Sequence, residues 1–124
     1  MSKKILVVED DNVLADTLSL LLKDGGFDVE VSNSAKQAEK KLKESTPDMI
    51  ILDILMPDEN GFDLLNKWKS SGLVKQIPIT VSTNLDNMEH VNRALTLGAR
   101  NYFLKSDMSS EDIVKHCKQV LGQS

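Results

Sequence analysis

The sequence predicts an α/β protein in which a parallel five-stranded sheet carries helices on both faces. Short apolar runs alternate five times with longer segments whose apolar residues recur every three or four positions. These two periodicities are typical of buried strands and of amphipathic helices. Strand–helix units in succession form a parallel sheet, and right-handed crossovers leave few arrangements of its strands.

The predicted strands are the short apolar runs, and they cover residues 4–10, 27–32, 49–53, 78–82 and 101–105. The first and third runs are the most continuously apolar, which is typical of strands buried on both faces. The alternating pattern of the second run indicates a half-buried strand. We therefore expect the first and third strands near the centre of the sheet.

Each predicted helix has apolar positions that share one face. They are Leu14, Leu18, Leu21 and Leu22; Ala35, Ala38 and Leu42; Phe62, Leu65 and Trp68; Met88, Val91 and Leu95; and Ile113, Cys117, Val120 and Leu121. Ser34, Asp86 and Ser109 each stand three residues before a Gln, Glu or Asp, a spacing typical of helix N-termini. Glycine near most of the helix ends supports the same boundaries, because it accepts the left-handed conformation.

The bulk composition indicates one domain over residues 1–124. The net charge of −4 and the absence of a basic stripe disfavour direct binding to nucleic acid or to anionic membranes. A single cysteine excludes an internal disulfide, and no apolar stretch is long enough to insert into a membrane. We expect a soluble cytoplasmic protein. Since the chain ends soon after the fifth predicted helix, we expect no output domain within these residues, and the sequence leaves open whether the chain stands alone or is cut from a larger protein.

Acidic residues stand where the first and third predicted strands end. Glu9, Asp10 and Asp11 follow the first strand, and Asp53 closes the third. In a doubly wound sheet the ligand site lies beyond the carboxyl ends of the central strands, so Asp10, Asp11 and Asp53 are predicted to converge. Glu9 is interpreted as a solvated residue or a helix cap, because acids are common near helix starts.

Converging carboxylates need a cation. Two of them about 4 Å apart repel by roughly 4 kcal/mol at an effective dielectric near 20. Acidic oxygen ligands favour Mg²⁺, for which Mn²⁺ could substitute. Lys105 ends the fifth strand and Ser82-Thr83 end the fourth, so an amine and a hydroxyl face the same crevice. Such a set suits phosphoryl transfer, in which a carboxylate can be the nucleophile.

In their order along the chain, these residues resemble those of the receiver domain of bacterial two-component response regulators. The matching positions are Asp10-Asp11, Asp53 within ILDILMP, Gly61, Thr83 after PITVS, Gly98-Ala99 and Lys105 after NYFL. The resemblance covers essentially the whole chain and implies a flavodoxin-like (βα)5 fold with strand order 2-1-3-4-5. It also implies a signalling domain, not an enzyme, which assists its own phosphorylation and slow dephosphorylation.

The resemblance implies specific roles at the phosphorylation site. Asp53 would accept a phosphoryl group from a phosphohistidine on a histidine kinase or a histidine phosphotransfer protein. Asp11 and Asp53 would bind Mg²⁺ directly, together with the backbone carbonyl of Leu55, and Asp10 would act through water. Lys105 would pair with the phosphoryl oxygens.

The resemblance also implies a switch. Thr83 would donate a hydrogen bond to the phosphoryl group, and Tyr102 would rotate inward with it. The face made by the fourth helix, the fifth strand and the fifth helix would then signal to a downstream partner, which the sequence does not identify. The start of the first helix would meet the histidine donor.

Two positions depart from the family pattern, and two others predict how long the phosphoryl group lasts. Asn84 stands where the family has a small alanine, and Ser106 where it has a proline after a cis peptide bond. A cis bond before a non-proline residue costs about 2.5–4 kcal/mol. Leu55 and Leu85 lie where the family tunes water access. Both are apolar, so we expect slow self-dephosphorylation.

Several other residues receive structural interpretations. His116 is predicted to lie on the surface near a helix C-terminus, where the helix dipole favours it, and neither it nor His90 has convincing triad partners. Cys117 and Trp68 are predicted to pack in the core.

Two other functions compete. An enzyme with a nucleotide or phosphohydrolase site would need a glycine-rich loop or an alternating acid pair after the first strand, but the chain has EDDN there. A receiver-like interaction module that no longer takes phosphate remains open because of Asn84 and Ser106.

Overall fold

Five parallel strands form the centre of the protein, as the sequence predicts. A computed structural model describes residues 2–122. The strands are β1 (Lys4–Val8), β2 (Asp28–Ser32), β3 (Met49–Leu52), β4 (Ile79–Thr83) and β5 (Asn101–Leu104). Their order in the sheet is β2-β1-β3-β4-β5, and every neighbouring pair is parallel. The fold class and strand order are therefore confirmed.

Burial of the strands follows their position in the sheet. All four residues of β3 are buried, and so are the four apolar residues of β1. The edge strands β2 and β5 are mostly half-buried. A strand with helices packed on both faces needs apolar side chains in both directions, which explains why the runs that end in the acidic residues are so continuously apolar.

Helices cover both faces of the sheet. They are α1 (Asn12–Asp24), α2 (Ala35–Glu44), α3 (Gly61–Ser70), α4 (Leu73–Gln76), α5 (Met88–Thr96) and α6 (Ser110–Val120). Buried residues of α1 and α6 form one apolar core against the sheet, and those of α2, α3 and α5 form the other. None of the helices within residues 2–122 is long and apolar enough to cross a membrane.

Two local predictions need correction. The sequence did not predict α4, a single turn that follows Gly72 with its positive φ of 84°; four residues are too few for an apolar periodicity to appear. Asp86 does not cap the helix that follows it. Asn87 does, with its side chain 2.7 Å from the amide of Glu89, and asparagine is as good a cap as aspartate. α5 and α6 correspond to the fourth and fifth predicted helices.

Of the remaining structural interpretations, those of Trp68 and Cys117 are confirmed and that of His116 is not. Trp68 and Cys117 are buried in the core as predicted, and burial raises the pKa of the Cys117 thiol to about 12. His116 is not the surface residue that the sequence predicted. Its Nε2 lies 2.9 Å from the hydroxyl of Thr80, its ring packs edge-on against Phe103, and its burial lowers its pKa.

We predict that Gly61→Ala destabilises the protein by about 1–3 kcal/mol, the usual range for overpacking. A Cβ at Gly61 would lie 2.6 Å from the Cα of Ile54, which is backbone and cannot swing away. Urea unfolding at equilibrium measures the loss. Gly25→Ala is the control, since its Cβ would meet the end of the Val114 side chain at 3.3 Å. Equal losses in the two variants would contradict the steric explanation.

Candidate functional site

The candidate site lies at the carboxyl ends of the strands, and backbone hydrogen bonds extend the strand pairing into it. The amide of Glu9 donates to Ser32 (2.9 Å), that of Asp53 to Val8 (3.0 Å) and that of Lys105 to Thr83 (2.9 Å). The three side chains therefore leave the sheet from positions that the strand register fixes. Asp53 stands directly after β3 and Lys105 directly after β5, as the sequence predicts.

Lys105 bridges two buried carboxylates. Its Nζ lies 2.7 Å from Oδ2 of Asp53 and 2.5 Å from Oε1 of Glu9. The side chains of Asp53 and Glu9 are only 5% and 7% exposed and that of Lys105 is 18% exposed, so water screens these contacts weakly. Lys105 thus connects residues that follow β1, β3 and β5.

Burial and charge act in opposite directions on these groups. Burial raises the pKa of Glu9 well above its ordinary value, and the Asp53 charge adds to this effect, while the hydrogen bond from Lys105 opposes it. Burial alone would lower the pKa of Lys105. Its hydrogen bonds to Asp53 and Glu9 outweigh burial and raise that pKa, which favours the charged ammonium form.

Three carboxylates in the site could hold a metal ion. Oxygens of Glu9, Asp10 and Asp53 lie within 4.8 Å of one another, and Asp10 is exposed while the other two are buried. The single ammonium group of Lys105 cannot neutralise three carboxylates. A donor set of carboxylate oxygens, open to water on one side, fits Mg²⁺ or Mn²⁺, which keep several water ligands.

Glu9, and not Asp11, is the acidic neighbour of Asp10 in this cluster. Asp11 is exposed and caps α1, since its Oδ1 accepts hydrogen bonds from the amides of Val13 (3.0 Å) and Leu14 (3.1 Å). The structure does not bring Asp11 into the carboxylate cluster. The interpretation of Glu9 as a solvated residue is wrong, because it is 5% exposed. The preference of aspartate for the N-cap position is the sequence signal that could have distinguished Asp11 from Glu9.

Thr83, the last residue of β4, and Tyr102 of β5 differ in the hydrogen bonds that their hydroxyl groups make. The hydroxyl of Thr83 is fully buried and has no hydrogen-bond partner among the described residues. Such a group costs free energy and could donate to an oxygen placed in the crevice. The hydroxyl of Tyr102 donates to the backbone carbonyl of Leu85 at 2.6 Å, and burial raises the Tyr102 pKa.

The remaining predicted positions lie in the loops around the crevice. The amide of Leu55 donates to Oδ1 of Asp53 at 3.1 Å, while its side chain is 52% exposed. Leu85 is half-buried against the core, and Asn84 and Ser106 are exposed. The peptide bond between Lys105 and Ser106 is trans, as are all those that the structure describes.

A parallel five-stranded sheet with a buried aspartate, a lysine and further carboxylates at its carboxyl edge is the architecture of a receiver signalling domain. The chain belongs to the response regulator receiver domain family, whose sequence profile matches residues 5–118. Receiver domains are signalling domains of two-component systems.

Curated relatives include transcriptional regulators. The virulence transcriptional regulatory protein PhoP of Salmonella choleraesuis is 34% identical over 102 residues, which are 82% of this chain and 45% of that protein. The transcriptional regulatory protein PhoP of Escherichia coli matches with the same identity and coverage. This chain therefore spans less than half the length of the curated relatives it matches.

Solved structures agree with the fold. A CheY-like response regulator receiver domain protein from Methanospirillum hungatei superposes with a TM-score of 0.89 at 25% identity, covering 98% of this chain and 95% of that one. The chemotaxis protein CheY4 of Vibrio cholerae superposes with a TM-score of 0.87 at 26% identity, covering 97% and 99%.

We predict that Lys105→Met lowers the free energy of unfolding by about 3 kcal/mol, as expected when a buried ion pair loses one partner. The loss is larger at pH 8 than at pH 5. The folded-state pKa of Glu9 lies above its ordinary value, so stability falls as pH rises through it, and removing Lys105 raises this pKa further. Urea unfolding in EDTA at the two pH values measures the effect.

The control for that experiment is Lys67→Met. Lys67 pairs with Glu59 at 2.9 Å, but its side chain is 54% exposed, and such solvent-exposed pairs contribute little to stability. A pH-independent loss in Lys105→Met, or an equal loss in both variants, would contradict the buried-pair account.

Proposed function

We propose that this chain is a phosphorylation-dependent receiver in which Asp53 accepts a phosphoryl group from a phosphohistidine on a histidine kinase or a histidine phosphotransfer protein. The observation that carries the proposal is the contact of Lys105 with Asp53 inside a cluster of carboxylates. An aspartate that served only the fold would not need two further acids beside it. Receiver domains of this family act in the same kind of signalling.

The chemistry requires little from the protein beyond position and charge. A carboxylate oxygen of Asp53 attacks phosphorus and forms a P–O bond. The P–N bond of the phosphohistidine breaks, and its electron pair returns to the imidazole nitrogen. Lys105, already 2.7 Å from Asp53, stabilises the negative charge on the phosphoryl oxygens. The buried hydroxyl of Thr83, which lacks a partner among the described residues, would donate to one of them.

The carboxylates of Glu9, Asp10 and Asp53 would hold Mg²⁺, or Mn²⁺ in its place, with the backbone carbonyl of Leu55 as a further ligand. The ion would supply positive charge beside the transferring phosphoryl group. Asp11 is excluded from our assignment because its carboxylate is engaged as the cap of α1.

The switch would act through Thr83 and Tyr102. A hydrogen bond from Thr83 to the phosphoryl group would pull on the end of β4 and on the loop after it. Because Tyr102 donates to the carbonyl of Leu85 in that loop, we expect its ring to move as the loop moves. The face made by α5, β5 and α6 would then change, and it carries the exposed side chains of Met88 and Leu95. We infer a cytoplasmic location, where kinase and receiver can meet.

We predict that acetyl phosphate with Mg²⁺ adds one acid-labile phosphoryl group to the protein. Intact mass spectrometry detects the adduct. Asp53→Asn should take up none, and EDTA should prevent uptake in the wild type. Asp107→Asn, which removes an exposed aspartate, is the matched control and should behave as the wild type. Uptake by Asp53→Asn would refute the assignment, and no uptake by the wild type would favour a module independent of phosphorylation.

We predict slow loss of this phosphoryl group, because Leu55 and Leu85 offer no polar group to orient an attacking water. Leu85→Glu should speed the loss by about tenfold, less than the 10²–10⁴ of a fully positioned general base. Decay of the adduct after removal of the donor measures the rate. Leu85→Met keeps the site apolar and should lose the phosphoryl group at the wild-type rate. Equal rates of loss in Leu85→Glu and Leu85→Met would contradict the explanation.

A further inference from the structure

A backbone hydrogen bond joins the two ends of the loop between β3 and α3, residues 54–60. The amide of Gly61 donates to the carbonyl of Ile54 at 2.8 Å, and Asn60 caps α3 by accepting from the amide of Phe62 at 2.8 Å. Near the start of the same loop, the amide of Leu55 donates to Oδ1 of Asp53. The orientation of the Asp53 carboxylate therefore depends in part on where this loop lies.

Asp58, in the outer part of the same loop, is bound to a different helix. Its Oδ1 accepts from the amide of Ala35 and its Oδ2 from the amide of Lys36, each at 3.0 Å. These are the first two amides of α2, which lack partners within the helix. The hydrogen bonds from Lys36 and Ala35 lower the pKa of Asp58, so Asp58 stays ionised and meets the positive end of the helix dipole.

α2 does not need Asp58 for its own N-cap. Ser34 already caps the helix, with its hydroxyl accepting from the amide of Gln37 at 3.1 Å. The two carboxylate contacts are therefore an additional link, and it joins a loop to a helix 23 residues earlier in the chain. α2 is itself fixed, because Ala35 and Ala38 are buried in the core. The loop is thus held to a rigid part of the protein.

We propose that Asp58 is a positioning residue for Asp53: it clamps the β3–α3 loop to the N-terminus of α2 and so holds the amide of Leu55 against the Asp53 carboxylate. Pro57, just before Asp58, has a fixed φ. The backbone between Asp58 and Leu55 therefore has less freedom to absorb a displacement of Asp58. The proposal adds to the proposed function, on which its catalytic consequence rests.

The experiment compares Asp58→Ala with Ser34→Ala. Both remove a side-chain acceptor from the N-terminal turn of α2, but only Asp58→Ala releases the loop. We expect the amide of Leu55 to exchange hydrogen with solvent on the order of tenfold faster in Asp58→Ala than in the wild type, the effect of losing a typical cap contact. Exchange of Leu55 in Ser34→Ala should equal that of the wild type. Asp58→Asn keeps one acceptor oxygen and should fall between.

Phosphorylation by acetyl phosphate is the second measurement. We expect the rate to fall by about tenfold in Asp58→Ala and to remain unchanged in Ser34→Ala, because reaction rates are sensitive to small displacements of a nucleophile. Unchanged exchange of Leu55 in Asp58→Ala overturns the proposal, and so does an equal rise in Ser34→Ala. The exchange measurement needs no phosphoryl group, so it tests the clamp even if the wild type fails to take up phosphate.

Discussion

The site depends on one ammonium group. Lys105 follows the edge strand β5 and reaches carboxylates that follow β3 and β1, so its contacts with Asp53 and Glu9 span the carboxyl edge of four adjacent strands. A buried carboxylate without a partner is costly, and here two lie side by side. The order of the strands places Lys105 where its charge compensates both carboxylates. Lys105 in turn lowers the free-energy cost of burying them side by side. A divalent cation would share this role at the exposed side, where Asp10 adds a third carboxylate.

Most of the site could be predicted from the sequence because parallel strands end at one edge of a sheet. The apolar runs reveal where β3, β4 and β5 end, and polar residues at those ends must therefore meet. Asp53 and Lys105 needed no further information, whereas only the family resemblance separated Thr83 from its neighbour Ser82. For Asp53 and Lys105 one apolar run is followed by one candidate group, so an error of a residue in the strand boundary would not have changed the assignment.

The acids after β1 could not be resolved in the same way, because three of them stand in a row. Which acid enters the pocket depends first on the last backbone pairing of β1, where the amide of Glu9 still donates to Ser32. It depends also on where α1 starts, because Asp11 caps that helix. A shift of one residue turns a side chain to the opposite face. The link from Asp58 to α2 was equally inaccessible, since only the folded chain brings residues so far apart into contact.

Of the described helices, α5 buries the smallest share of its residues, and this bears on the switch proposed for Thr83 and Tyr102. Of the nine residues of α5 only Ala94 is buried, whereas α3 buries five of ten. Further contacts are made at the Phe62 ring, which stacks on His90 and lies 4.5 Å from the Arg93 guanidinium. Elements with few buried apolar contacts open or shift at low free-energy cost. The loop before α5 accepts the hydrogen bond of Tyr102. The light packing of α5 is consistent with the proposed switch, in which a modest differential interaction at Asp53 would shift the population of α5 positions without disturbing the core that holds the acids in place.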